Sequence, residues 1–337
     1  MKVFVIGGTG LLGSECAKQL IEMGHEVTAL ALPPIPVGAE IPPQMGIEFG
    51  SYLDLTDEQI RACFAGCEGF VFAAGVDERV EGPYPIYELF KKYNITPLER
   101  LLRIARECGV KRVAICGSYF SYFARLWPEK ELCRWHPYIR SRVEQEELAL
   151  SFVEEDFHVA VLELPYIFGA QKGRKPVWLF LAEMIRSAKG AIFYPGGGSA
   201  MVTARQAGQA IAGALTRNQG GNCYPIGWHQ LSWVELLTVA KRQLGCEGKR
   251  IVTVPKWMFA LGCAALMAKR KKAGQEGGLH MVRFAGVMCA STYIDKSLGC
   301  EKLGVTEDDI EAAICESMQL CADILDGRTG AVGMKGE

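Results

Sequence analysis

Apolar and polar positions along the chain alternate between two patterns, beginning with the first residues. Val3, Phe4, Val5 and Ile6 form an unbroken apolar run, which is how a strand buried on both faces reads. The run stops at Gly7, Gly8, Thr9 and Gly10, and from Ser14 to Met23 apolar residues return at Cys16, Ala17, Leu20 and Ile21, a helical spacing. The pairing then repeats. Val27 to Leu32 reads as a second strand, closed by Pro33 and Pro34, which cannot continue it. Ile47 to Leu53 reads as a third, and Thr56 stands where it would cap a helix from Asp57 to Phe64. Gly69 to Ala74 is a fourth apolar run and Arg112 to Cys116 a fifth. Between them Asn94 to Cys108 is amphipathic, with Leu98, Leu101, Leu102, Ile104 and Ala105 on one face. Val159 to Leu164 is a sixth run, ended by Pro165. Strands alternating with helices predict an α/β fold, a doubly wound parallel sheet joined by right-handed crossovers.

From Gly169 onward the pattern loosens, with glycines in a row at Gly196, Gly197 and Gly198 and helical stretches at Arg205 to Leu215, Ser232 to Leu244 and Asp308 to Leu325. The expected division is a nucleotide-binding domain over 1–168 and a smaller C-terminal lobe over 169–326, mainly for substrate, with segments returning to the main sheet. A flexible tail is expected over 327–337. The longest apolar run, Trp257 to Ala268, is too short to cross a bilayer and is followed by Lys269, Arg270, Lys271 and Lys272. It reads as a core helix ending in solvated cations, with a helix lying on a membrane surface as the alternative.

Composition narrows the class. The chain has 337 residues, 49% hydrophobic and 22% charged, and a net charge of -1, which offers no electrostatic footprint for nucleic acid. The 13 cysteines are scattered and form no CxxC pair, so they read as small buried hydrophobes in a reducing compartment, and no metal site is expected. A strand starting at residue 2 leaves no room for a signal peptide and predicts a cytoplasmic protein without stable membrane insertion. A small-molecule substrate is the expected partner, and a homodimer is compatible with the pattern.

The glycine turn carries the first chemistry. Its glycines permit positive φ and let a pyrophosphate approach the first-turn N–H groups, where the helix dipole favours an anion. Gly7, Thr9, Gly10, Leu11, Leu12 and Gly13 are therefore candidate dinucleotide ligands. At the end of the second strand an acid suits a free ribose hydroxyl and a base suits a 2'-phosphate, yet Ala31 and Leu32 supply neither. An unpaired phosphate forfeits more than an unpaired hydroxyl, so NAD is favoured over NADP. Strand five ends at Gly117 and Ser118, and Tyr138, Ser141 and Arg142 follow on a segment running into a helix from Glu144 to Phe152. A cation within about 4 to 6 Å lowers a tyrosine pKa by about 1 to 3 units, and Arg142 is the candidate cation for Tyr138. Ser118 is then placed to hold a substrate oxygen.

These residues resemble the extended short-chain dehydrogenase/reductase superfamily, the NAD-dependent epimerase/dehydratase group, nearest its dihydroflavonol reductase and hydroxysteroid dehydrogenase branch. The likeness rests on Gly7, Gly10 and Gly13; on Asp54 and Leu55 after strand three; on Ala73, Ala74 and Gly75 after strand four; on Asn94; on Gly109 to Arg112; and on Ser118 and Tyr138. Pro165 to Gly169, with Ile167 inside it, resembles the loop that lines the nicotinamide, and Tyr293 to Ser297 with Leu303 and Gly304 resembles the family's closing segment. The resemblance implies a Rossmann fold, a catalytic Ser118, Tyr138 and Arg142, and cofactor contacts at Asp54, Leu55, Ala73, Ala74, Gly75, Asn94, Pro165 and Ile167. Three positions depart from it: Arg142 stands where relatives have lysine, Glu163 where they have arginine, and Gln206 where they have aspartate. Arginine keeps the charge but cannot release a proton.

Tyr87 to Lys91 also spells YxxxK but lies away from Ser118 and reads as a solvated face, while Tyr119 and Tyr122 are substitute acids to weigh against Tyr138. The leading expectation is a hydride-transferring oxidoreductase whose aromatics Tyr119, Phe120, Tyr122, Phe123 and Trp127 suit an apolar or ring-shaped substrate. A nucleotide-sugar epimerase or dehydratase with tightly bound NAD is the alternative, with Lys172, Arg174 and Lys175 as diphosphate contacts. The third reading is a non-catalytic dinucleotide-binding redox sensor, because Arg142 breaks the proton relay.

Overall fold

The structure, a computed structural model, describes residues 1–333. Its centre is a parallel sheet of seven strands in the spatial order Gly221–Pro225, His158–Glu163, Arg112–Cys116, Gly69–Phe72, Lys2–Ile6, Glu26–Ala31 and Gly46–Phe49. This is the doubly wound Rossmann arrangement, with the order reversing between the first strand and Gly69–Phe72. The unbroken apolar runs have their reason in two covered faces. Val3, Val5, Val71, Ala114, Cys116, Ala160 and Leu162 pack on one side, with helices Leu11–Glu22 and Ala204–Arg217. Phe4, Ile6, Phe70, Phe72, Val113, Ile115, Val159 and Val161 pack on the other, with helices Asp57–Phe64 and Thr96–Glu107.

Local signals act as read in several places. Thr56 accepts from the Gln59 amide while the Gln59 side chain accepts from the Thr56 amide, a reciprocal cap on the helix from Asp57. Other boundaries move. The third strand stops at Phe49, because residues 51–55 fold into a turn held by bonds from the Asp54 and Leu55 amides to the Ser51 carbonyl. Asn94 lies not in a regular α-helix but in a π-helical turn, Lys91–Ile95, ahead of helix Thr96–Glu107. The helix expected from Glu144 begins at Pro137, whose fixed φ suits a first turn, and runs to Leu150.

Beyond the sixth strand the chain builds smaller units: a strand Tyr166–Phe168 paired in parallel with Gly198–Thr203, and a two-stranded pair Ala191–Pro195 with Arg250–Val254. Helix Ala204–Arg217 and strand Gly221–Pro225 return to the main sheet. Of the stretch 327–337, residues 334–337 lie outside the described residues, and Val332 exchanges backbone bonds with Gly173 and Lys175 at 2.9 and 3.0 Å. The apolar run at Trp257 requires a correction. It is a helix, Lys256–Lys272, but Cys263 is its one buried residue, so it is not a core helix. Among the described residues no helix is long and apolar enough to cross a membrane.

Candidate active site

The glycine turn divides its glycines by task. Gly7 has φ +90°, and a Cβ there would lie 2.9 Å from the Ala73 carbonyl carbon. At Gly13 a Cβ would lie 2.7 Å from the Gly8 Cα, and at Gly8 it would run into the Ala29 side chain. These three let the turn, the neighbouring strand ends and the helix close on one another. Gly10 differs: its φ of -84° suits any residue, and a Cβ would meet only the Gly7 carbonyl oxygen, at 3.3 Å. Gly10 is also the N-cap of helix Leu11–Glu22, with no side chain capping the first turn. Its open side faces the place where first-turn amides of Leu11, Leu12 and Gly13 receive an anion.

Around this turn the strand ends supply small residues. Ala73 follows strand Gly69–Phe72 and donates its amide to the Ile6 carbonyl at 3.0 Å. Gly75 has φ +122°, and a Cβ there would strike the Asn94 side chain. Asn94 is wholly buried. Its Oδ1 accepts from the Val76 amide at 2.9 Å and its Nδ2 donates to the Val76 carbonyl at 3.1 Å. Its side chain is thus committed to the loop after strand four. Asp54 is exposed and Leu55 half-buried beyond the third strand, while Pro165 precedes the strand Tyr166–Phe168 and Ile167 lies within it. The Ile167 carbonyl accepts from the Trp178 indole at 2.8 Å.

Ser118 ends the strand Arg112–Cys116 and caps helix Tyr119–Leu126. Tyr138 and Arg142 lie one turn apart on the buried face of helix Pro137–Leu150, and the Arg142 guanidinium stands over the Tyr138 ring at 5.1 Å. Burial pushes the Tyr138 phenol above its usual value, against the downward pull of Arg142; Glu78 and Asp77 also raise it, and a hydrogen bond from Ser118 lowers it. The expected depression by Arg142 therefore exists but is outweighed, because the phenol is desolvated. Arg142 is held in a closed ring: it donates to the Gln145 Oε1 at 2.9 Å and to the Val76 carbonyl at 3.2 Å. Gln145 in turn donates to the Asn94 carbonyl at 2.8 Å. The Arg142 Nε is buried with no partner.

The sequence reading passed over Glu78, a half-buried carboxylate on the loop after strand four whose field raises Tyr138, Tyr119 and Tyr166. Burial and Asp77 push its own pKa up to about 7, against Arg79 and Arg142. Its backbone and the Tyr138 Cβ both crowd Gly278, whose carbonyl accepts from the Tyr138 amide at 3.0 Å. No local motif marks Glu78; only tertiary packing brings it to the tyrosine.

Other candidates are placed elsewhere. Tyr87 bonds Glu144 and lies under Arg140 on the side of helix Pro137–Leu150 away from Tyr138. Tyr119, Phe120 and Phe123 are buried core aromatics rather than an open lining, since helix Tyr119–Leu126 turns them into the packing. The Tyr119 hydroxyl is bonded to Ser199 at 3.0 Å, and burial pushes its pKa up to about 12. The basic loop also moves: Lys172 pairs with Glu40 at the surface, and Arg174 donates to the Thr9 hydroxyl at 2.8 Å, leaving its buried Nε without a partner. Arg174 thus stands over the glycine turn.

Open space at Gly10, uncapped first-turn amides and two unpartnered arginine Nε atoms, at Arg142 and Arg174, fit an anionic dinucleotide. Among the described residues no cluster of His, Cys, Asp or Glu has the form of a metal site. The sequence model of the NAD dependent epimerase/dehydratase family matches residues 3–226. No curated protein matches the chain in sequence. The protein gox2253 shares the fold with a TM-score of 0.72 at 18% identity, over 97% of this chain and 99% of that one. UDP-glucose 4-epimerase of Thermotoga maritima, solved with UDP-glucose, follows at 0.67 and 17%, over 96% and 100%. UDP-glucuronic acid 4-epimerase of Bacillus cereus, solved with NAD, follows at 0.66 and 12%, over 96% and 99%.

Proposed function

The chain belongs to the NAD dependent epimerase/dehydratase family, and from that premise we propose an enzyme that moves hydride between NAD and a carbinol or carbonyl carbon of a small substrate. The observation that carries this reading is the meeting of Ser118 and Tyr138 beneath a fixed guanidinium 5.1 Å from the tyrosine ring. NAD, when bound, supplies the hydride acceptor. Gly10, Leu11, Leu12 and Gly13 would hold its pyrophosphate, with Arg174 over the turn, and Ala73, Ala74 and Gly75 would leave room across the strand end. Asn94 keeps that loop in place through Val76. In the oxidation direction the Tyr138 phenolate takes the proton of the substrate hydroxyl, while Ser118 orients its oxygen. Arg142 stabilises the tyrosinate by charge alone, since it does not release a proton.

Tyr166 meets Trp178 and Trp233 edge to face at 5.3 and 5.6 Å, but these rings belong to the same buried cluster as Tyr119 and Phe123, so the aromatics lend an apolar or ring-shaped substrate no separate support. A nucleotide-sugar epimerase is the second reading, favoured by the UDP-sugar epimerases that share the fold. Its expected cations are displaced, however, because Arg174 lies at the glycine turn. Turnover is to be measured with ring ketones, aldehydes and UDP-sugars, together with the redox state of bound cofactor. Net NADH consumption that Tyr138→Phe abolishes supports the reductase. UDP-sugar isomerisation without net NADH, on retained NAD, supports the epimerase. Undiminished activity in Tyr138→Phe refutes both.

A further inference from the structure

The helix Lys256–Lys272 presents its apolar side outward. Trp257 and Leu261 are each 63% exposed, Met258 44% and Leu266 41%, and Ala264, Ala265 and Ala268 are exposed between them. At 100° per residue Trp257, Leu261, Ala264, Ala265, Ala268 and Lys272 fall on one stripe, opposite the buried Cys263. Phe193 and Val252, register partners on the strand pair that leads into the helix, are exposed as well. An apolar surface left uncovered among the described residues marks an interaction face.

Charge selects the occupant. The 17 residues of this helix contain no Asp or Glu. Lys269, Lys271 and Lys272 follow the apolar stripe, whereas Lys256 lies on the side of Cys263, with its ammonium beside Gly286. Arg270 turns back to pair with Glu81, whereas none of the four lysines has a carboxylate partner among the described residues. A second copy docked through this helix would bring no acid of its own to meet Lys269, Lys271 or Lys272, and lysine is depleted at protein interfaces. An apolar face with Trp and Leu, followed by Lys269, Lys271 and Lys272, suits the boundary between acyl chains and anionic headgroups. The helix is about 25 Å long, too short to span a bilayer but suited to lie in its surface.

We propose that helix Lys256–Lys272 seats the protein on an anionic membrane surface, with Trp257, Met258 and Leu261 in the acyl boundary and Lys269, Lys271 and Lys272 on headgroups. The attachment is peripheral and reversible, and weakens with salt. Trp257, Met258, Leu261, Lys269, Lys271 and Lys272 take no part in the chemistry proposed above, so the test of attachment does not depend on it.

The test is co-sedimentation of the full chain with vesicles of mixed phosphatidylglycerol and phosphatidylcholine, beside vesicles of phosphatidylcholine alone. The wild type is expected to pellet with the first, weakly with the second, and less as salt rises. The variant Lys269→Gln/Lys271→Gln/Lys272→Gln should lose about fivefold in partition per lysine, roughly 100-fold together. Trp257→Ser/Leu261→Ser should also abolish pelleting. Both variants alter exposed side chains, so an unchanged melting temperature certifies folding. Protein that stays in solution with anionic vesicles, or variants that pellet like the wild type, overturns the proposal. So does a concentration-dependent dimer in sedimentation velocity that Trp257→Ser/Leu261→Ser dissolves, since a second copy would then occupy the face.

Discussion

Replacing Gly10 with alanine separates binding from folding more cleanly than any other change in the glycine turn. The added Cβ would meet only the Gly7 carbonyl oxygen at 3.3 Å, on a backbone with φ -84° and ψ 173° that alanine adopts freely. Two small effects on stability oppose each other. Alanine is a poorer N-cap than glycine, while removing glycine from the unfolded chain stabilises by about 0.4–1 kcal/mol. The melting temperature should therefore move by no more than about 3 °C. The methyl group projects where the pyrophosphate approaches, and holding it away from one first-turn amide forfeits a charge-assisted hydrogen bond of about 1.5–3 kcal/mol. That corresponds to about 10- to 150-fold weaker NAD binding. Gly13→Ala is the contrast, since its Cβ would lie 2.7 Å from the Gly8 Cα. Overpacking of that kind costs about 1–3 kcal/mol, so this variant should melt lower. Calorimetric titration with NAD and NADP, beside thermal melts, reads all three quantities. Unchanged NAD affinity in a folded Gly10→Ala would refute the assignment of the turn, and tighter binding of NADP than of NAD would refute the cofactor preference drawn from Ala31 and Leu32.

The Tyr138 phenol is raised by burial and lowered by Arg142, so Arg142→Met should shift the rate profile to higher pH, each unit being about 1.4 kcal/mol of lost tyrosinate stabilisation. Arg142→Lys should keep the wild-type profile; an unmoved profile in Arg142→Met would remove the guanidinium from the mechanism. Burial and Glu146 push the Glu163 carboxyl up to about 8 against the pull of Arg125. The native state then keeps a proton that the unfolded chain releases near pH 4.5, so this site's contribution to stability falls as pH rises from about 4.5 to 8. Glu163→Gln should flatten that fall and melt above the wild type at pH 8 more than at pH 5, and parallel melting curves would contradict it. Asn94→Ala strands the Val76 amide, while the Val76 carbonyl keeps its bond from Arg142, and this costs about 1–3 kcal/mol. It should weaken NAD binding as well through the loosened Gly75 loop, and a loss of stability with full affinity would confine Asn94 to folding.

What the sequence determined by itself is the frame. An apolar run covered on both faces, as at Val3 to Ile6, is a property of neighbours in the chain, and so are the reciprocal cap at Thr56 and Gln59 and the glycine turn between strand and helix. Those signals span a few residues, so local sterics and hydrogen bonding decide them. The grouping of the candidates Ser118, Tyr138 and Arg142 was legible, since their spacing follows from a strand end and one helical turn. Tertiary structure alone decided what those groups experience. Whether Tyr138 titrates above or below its usual value depends on how much water burial removes and on Glu78 from another loop, neither of which is written in the spacing. Asn94 resembles a cofactor ligand in sequence, yet folding commits its side chain to Val76. Arg174 reaches Thr9 across 165 residues of chain, a distance no periodicity encodes. The helix from Lys256 makes the same point about hydrophobicity: a pattern reports that a face is apolar, and only the packed molecule decides whether anything covers it.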